Sequence, residues 1–124
     1  MKISGSVEFT IIERTAEKVV SEMPVTTGNK NPYGVVNAGA IMWFADVTAS
    51  LLVIGRTRVS EGMKGFPLAI GLNAHFLSNQ SDGSFKATSV FVKKSKTVNV
   101  VRTTVVGENE KVVADVTTSH VQSR

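Results

Sequence analysis

Hydrophobic and polar positions alternate in short runs at both ends of this chain and merge into one long apolar run between them. SVEFTIIE (6–13) and EKVVSEMPV (17–25) are brief stretches rich in β-branched residues, and each predicts a strand. TTGNKNPYG (26–34) is punctuated by Gly28, Pro32 and Gly34 and reads as loop. A helix is predicted from Asn37 or Ala38 to Ile54, closed by Gly55. TRVSEGMKGFP (57–67) is a second glycine-bearing loop. After it come four strand-like runs, LAIGLNAHFLS (68–78), SFKATSVFVKK (84–94), TVNVVRTTVVGE (97–108) and KVVADVTTSHV (111–121), separated by polar or turn-forming breaks. Alternation in the last predicts Val112, Ala114, Val116 and Thr118 on one face and Val113, Asp115, Thr117 and Ser119 on the other. Two strands, one long helix and four strands make a single α+β domain over residues 1–124.

A surface helix shows a polar stripe, and this one barely does. Apolar or small residues occupy nearly every position around its wheel, so it should be covered on most sides. Six antiparallel strands curling around one central helix would do this. Ala38, Gly39, Ala40, Ala45 and Ala49 would let the sheet, or the helix of a second subunit, approach closely. The same run is the one candidate for a membrane span, yet Asp46 lies at its midpoint with Thr48 and Ser50 nearby, where the bilayer penalises polarity most. It reads as a core helix, with no membrane partner.

Composition narrows the chemistry. There are no cysteines, which excludes disulfides, thiol nucleophiles, Cys-ligated zinc and iron–sulfur clusters, and fits a reducing cytoplasm. Only two histidines, His75 and His120, are present, so a three-histidine metal site is excluded as well. The net charge of +4 is mildly basic and suits anionic partners such as phosphorylated cofactors. The basic residues form no single block and aromatics make up only 6% of the chain, which argues against a nucleic-acid platform. The start MKISGSVEFTII lacks the apolar run and cleavage site of a signal peptide.

Asp46 is the residue that needs explaining. A carboxylate buried without a partner costs several kcal/mol, and it lies two turns into the helix, too far for capping or the helix dipole to account for it. At helical spacing it shares a face with Met42 and Ser50, beside Trp43 and Ala49. Either it lies on the helix's one exposed line near Thr48 and Ser50, or it is a partly desolvated carboxylate poised as general base or nucleophile. The helix start, GVVNAGA, supplies unpaired backbone N–H groups at a positive dipole end, the geometry that binds an oxyanion. Asn37 is a natural N-cap there. Such a pairing suits acyl transfer.

NPYGVVNAGAIMWFADVTAS (31–50) resembles the signature of the hot-dog-fold acyl-CoA thioesterases, in particular the phenylacetate-pathway (PaaI-like) and hydroxybenzoyl-CoA thioesterase subfamily. In these an Asn-Pro-x-Gly-x-x-His-Gly-Gly loop opens the central helix and an Asp or Glu follows nine residues after the His. The downstream strands are similar in order, so the resemblance spans the chain from about Gly28 onward. It implies a curved antiparallel sheet of about six strands wrapped around the helix, and hydrolysis of an acyl-CoA thioester to free acid and CoA. Asp46 takes the place of the catalytic carboxylate, and the Ala38 N–H that of the amide polarising the thioester carbonyl. Asn31 matches the loop Asn that orients the water or the loop, and Ser50 sits where some members hold water with a hydroxyl. The site forms between subunits, so a homodimer or homotetramer is implied. Coenzyme A is part of the substrate, and no separate cofactor is called for. Asn37 stands where the family has His, and Ala38 where it has the first Gly. Asn can donate a hydrogen bond but cannot titrate.

Secondary features divide between structure and function. Lys93, Lys94 and Lys96 form either a solvated hairpin turn or contacts to the CoA phosphates, with Arg56 and Arg58 as further candidates. Trp43, Met42 and Phe76 are core residues or the lining of an acyl pocket. His75 reads as structural, and His120 as surface or interface. Three functions compete: an acyl-CoA thioesterase, a non-catalytic acyl-CoA-binding module on the same fold, and a structural homo-oligomer.

Overall fold

The structure, a computed structural model, describes residues 1–55 and 60–122. The elements run β1 (Thr10–Arg14), β2 (Lys18–Pro24), α1 (Ala38–Ile54), β3 (Pro67–Phe76), β4 (Ser84–Lys93), β5 (Val98–Val106) and β6 (Val112–Gln122). One sheet of order β1-β2-β4-β5-β6-β3 holds all six strands, every adjacent pair antiparallel, and α1 packs on its inner face.

The helix ends follow from local chemistry. Asn37 has extended backbone and its side-chain oxygen accepts from the Gly39 N–H at 2.8 Å, so it is the N-cap. Gly55 closes the helix with a positive φ of 72°, which its missing Cβ permits. The Arg14 guanidinium donates to the Gly55 carbonyl, placing a cation at the negative dipole end.

Ile41, Phe44, Ala45, Thr48, Ala49 and Leu52 form the face buried against the sheet. The opposite face is only partly covered within one chain, with Met42, Val47, Leu51 and Ile54 half-buried and Trp43 exposed. The expectation of a helix covered on most sides is therefore met only on the sheet side. Thr48, which one of the two readings of Asp46 put near an exposed line, faces the sheet and is fully buried.

Two buried apolar clusters fill the core, one around Met23, Phe44, Phe85 and Val116, the other around Val19, Leu52 and Val101. Between them runs a belt of fully buried polar side chains: Ser21 on β2, Ser89 on β4, Thr103 on β5, Thr118 and His120 on β6, and Thr48 on α1. They satisfy one another in pairs. Thr48 donates to the Phe44 carbonyl (2.7 Å) and pairs with Ser21 Oγ (3.2 Å), Ser89 pairs with Thr103 (2.6 Å), and Thr118 with His120 Nε2 (2.8 Å).

Two strand expectations need correction. The first strand begins at Thr10, and residues 6–9 instead form a strap: the Ser6 N–H donates to the Gly28 carbonyl (2.9 Å), and Phe9 packs its ring against Trp43 and Phe44, each at 5.2 Å. In β6 the pairing with β5 passes from Val105–Ala114 to Val106–Val112. Val113 is thus the extra residue of a bulge. It turns inward beside Ala114, while Val112 is exposed, so simple alternation fails at that point.

Candidate active site along the central helix

The loop before α1 is tied at several points. The Asn37 N–H donates to the Asn29 carbonyl (2.8 Å), and Lys30 bridges Val36. Asn31 accepts from the N–H groups of Tyr33 (2.9 Å) and Val35 (3.3 Å), an Asx turn that shapes the loop from within. Asn79, between β3 and β4, accepts from the Val36 N–H (3.2 Å) and donates to the Val36 carbonyl (2.9 Å). That clamp is invisible in sequence, because its partners lie 43 positions apart.

This scaffold presents the first turn of α1 outward. Asn37 uses its oxygen on Gly39, and the Asn37 carbonyl takes the Ile41 N–H at 3.2 Å. The Ala38 N–H has no partner among the described residues, and Ala38 is exposed. A cleft of about 500 Å³ opens beside it, walled by the strap at Ile3–Val7, by Gly28–Pro32, and by Asn37 and Trp43.

A second cleft, about 410 Å³ and almost wholly apolar, lies past the helix middle. Val47, Ser50, Leu51 and Ile54 form one wall, Met63 and Phe66 the other. Asp46 stands between the two clefts, three residues after Trp43 and four before Ser50 on one helical line. It is half-buried. Its Oδ1 is buried with no hydrogen-bond partner, whereas Oδ2 is absent from the buried orphans and has no partner either, so it meets the surface. A carboxylate with one oxygen inside and the other available to water has the form of a general base.

His120 is not a surface residue. It is fully buried, its Nδ1 lacks a partner, and burial pushes its pKa below 6.5 while the nearby Asp46 pulls it back up. His75 is exposed on β3 opposite Asp115, itself held by Arg102 through two 2.9 Å bonds. The hydrogen bonds from Arg102 keep the Asp115 carboxyl below its ordinary value.

The remaining expected positions are not gathered here. Met42 is half-buried beside Asp46, and Phe76 is exposed at the end of β3; neither lines the two clefts. Lys93, Lys94 and Lys96 are exposed at and after the end of β4, with the Lys94 ammonium 5.3 Å from the Phe91 ring centre. Phe91 packs on the cluster around Leu52, which puts these lysines at the helix end away from Ala38. Arg56 and Arg58 lie outside the described residues. No helix among the described residues is long and apolar enough to cross a membrane.

No protein-family model matches the chain. Its sequence is similar to the putative esterase ComA2 of Bacillus subtilis, 27% identical over 103 residues that cover 83% of this chain and 79% of that protein. Among solved structures it is similar to a variant of the thioesterase SAV0944 of Staphylococcus aureus, with TM-score 0.85 and 22% identity over 94% of this chain and 93% of that one. It is also similar to smu.793 of Streptococcus mutans bound to acetyl CoA, with TM-score 0.83 and 19% identity over 98% and 94% of the two chains. A hypothetical thioesterase of Streptococcus pneumoniae with coenzyme A aligns at TM-score 0.81 and 16% identity over 94% and 86%. The sheet wrapped on a single helix is thus the hot-dog fold of thioesterase structures.

Proposed function

We propose that the protein is an acyl-CoA thioesterase acting as a homodimer or homotetramer, with Asp46 as general base and the Ala38 N–H as oxyanion donor. Asp46 Oδ2 takes a proton from water as the hydroxyl adds to the thioester carbonyl carbon. The developing oxyanion accepts from the Ala38 N–H at the positive end of the helix dipole. Collapse breaks the C–S bond, the CoA thiolate takes a proton, and a free carboxylic acid remains. Asn37 and Asn31 hold the loop, and Ser50 is placed to hold the water. Coenzyme A is part of the substrate here and departs as the leaving group.

The observation that carries this reading is Asp46 itself, a half-buried carboxylate on an apolar helix with one oxygen left to the surface between two clefts. The similarity to structures holding acetyl CoA and coenzyme A supports the substrate class.

Geometry also supports the oligomer. Asp46 lies eight residues after Ala38, about 12 Å of helix rise, whereas an attacking water and the carbonyl oxygen must fall within roughly 3–3.5 Å of their groups. Within one chain, donor, carbonyl, water and base would have to be strung out along the helix, whereas two chains meeting helix to loop would bring the amide of one close to the carboxylate of the other. The half-open helix face and the exposed Leu68, Ile70, Leu72 and Phe76 of edge strand β3 are apolar surface available for that meeting.

CoA release from a panel of acyl-CoAs, measured for wild type and Asp46→Asn, tests the reading. Turnover lost in the variant with ligand binding retained supports it. The commitment of Asn37 to capping favours one competitor, a module that binds acyl-CoA without hydrolysing it. Binding without turnover in both proteins would establish that module instead.

A further inference from the structure

The buried belt contains one unresolved pair. Ser21, Thr48, Ser89, Thr103 and Thr118 all have partners, whereas Asp46 Oδ1 and His120 Nδ1 are buried and have none. Isolated buried polar atoms are expensive and rare, and the charge of Asp46 acts on His120. His120 lies opposite Asn99 on β5 and Ala69 on β3, neither of them titratable. Asp46, from the helix, is the charged group that acts on it among the described residues.

Thr118 decides what His120 can offer. If the hydroxyl donates to Nε2, the ring proton sits on Nδ1, and Nδ1–H is a donor. A carboxylate oxygen accepts from such a donor readily. With the opposite tautomer, Nδ1 would present a lone pair towards a carboxylate, which repels it. In direct contact only the first arrangement satisfies both orphans; across a water either can, and the first is the one in which Nδ1 donates.

We propose that His120 is a positioning residue for Asp46: Thr118 donates to its Nε2, and its Nδ1–H reaches the buried Asp46 Oδ1 across one shared water. The water accepts from Nδ1–H and donates to Oδ1, the two-partner minimum of a buried water. The carboxylate is thereby fixed with Oδ2 facing the attacking water. This rests on the reading of Asp46 as the base, and extends it to a residue on the last strand that touches neither substrate nor solvent.

Two measurements test it. With only His75 and His120 in the chain, 15N-histidine NMR resolves both rings. The expected result is an Nδ1–H tautomer for His120, with its titration moving to lower pH in Asp46→Asn as the neighbouring negative charge is lost. The second measurement is kinetic. His120→Leu lowers kcat by roughly 10- to 100-fold, the scale of a misplaced catalytic group, leaves KM unchanged and moves the acid limb of kcat. His120→Asn, which keeps an amide N–H near the Nδ1 position, recovers part of the loss. An Nε2–H tautomer, an unshifted titration in Asp46→Asn, or wild-type kcat and pH profile in His120→Leu would each overturn the proposal. If His120→Leu does not fold, the tautomer and titration of the folded chains still decide. Absence of turnover by wild type would instead sink the thioesterase reading, and the same NMR result would then decide the pairing by itself.

Discussion

Ala38→Pro removes a single atom group of interest with little else. Proline lacks the backbone N–H, and the first helical position is where a helix tolerates it, since that N–H has no intrahelical acceptor. Here the Ala38 N–H is free of any partner among the described residues, so no hydrogen bond is lost. The preceding residue must have extended backbone, and Asn37 already lies at φ −62°, ψ 134°. Ala38 is exposed, which leaves room for the ring. Stability should therefore stay within about 0.5 kcal/mol of wild type, as for a surface substitution. If this N–H is the oxyanion donor, kcat should drop by about 100- to 1,000-fold, or roughly 2.7–4 kcal/mol of transition-state stabilisation. Thermal melting and CoA release give the two numbers. Unchanged melting with unchanged kcat would remove Ala38 from the mechanism.

The same variant tests whether the site is shared. Coexpressing Ala38→Pro with Asp46→Asn gives mixed dimers in which one of the two sites retains both an intact amide and an intact carboxylate, if these come from different chains. In a two-fold dimer with random pairing, half the dimers are mixed and each has one working site, so about a quarter of wild-type activity should return. A site contained within one chain would show no recovery, because every chain would carry one defect.

Other perturbations reach other parts of the structure. Ser89→Ala or Thr103→Val alone leaves a buried hydroxyl unpaired and should cost about 1–3 kcal/mol in urea unfolding, while the double substitution should be close to neutral. Because His120 titrates below 6.5 in the folded chain, the unfolded state binds its proton more readily. Its contribution to stability is complete above about 6.5 and is lost as pH falls from there through the lowered native value, a slope that urea midpoints should show in wild type and lack in His120→Leu. Gly5→Ala would place a Cβ 2.5 Å from the Gly28 carbonyl oxygen, lifting the strap; loss of the Ser6–Gly28 hydrogen bond should cost about 1 kcal/mol, seen as a lower melting temperature together with a raised KM. Leu72→Asp on the exposed β3 edge should reduce the oligomer seen by light scattering and lower activity with it.

Periodicity made the architecture legible. Strand runs of period two, one unbroken apolar stretch and a closing glycine located α1 to the residue and five strands to within a few positions. The misses share a cause, which is that long-range contacts override local pattern. Residues 6–9 have strand composition, but Gly28 and the Trp43 and Phe44 rings capture them as a strap. The β6 bulge reverses Val112 and Val113 because of pairing with β5, which no single-strand pattern encodes. Asp46 was conspicuous because a charge interrupts apolar sequence. His120 was not, since a histidine near a strand end carries no signal until the fold buries it against the helix. Asn79 was equally silent.

The hydroxyl belt gives a reason why a fold this small tolerates a carboxylate on its central helix. In an unbroken aliphatic core, Asp46 Oδ1 would face only carbon, and the site would cost several kcal/mol of a total stability of about 5–15 kcal/mol. Instead, Ser89 and Thr103 face each other across β4 and β5, Ser21 on β2 and Thr118 on β6 lie one diagonal step from them, and with Thr48 on the helix they divide the core into two apolar clusters close to the turn that holds Asp46. Each hydroxyl is paired, so the belt itself adds little penalty. Its end at His120 brings a polar group to the buried side of the helix near Asp46. If that is its role, filling the belt pairwise with apolar residues, as in Ser89→Ala with Thr103→Val, should spare both stability and kcat. Disrupting only its His120 end should spare the fold and reduce kcat. Equal kinetic loss from both ends would mean that the belt acts on the packing of the helix as a whole and not on Asp46.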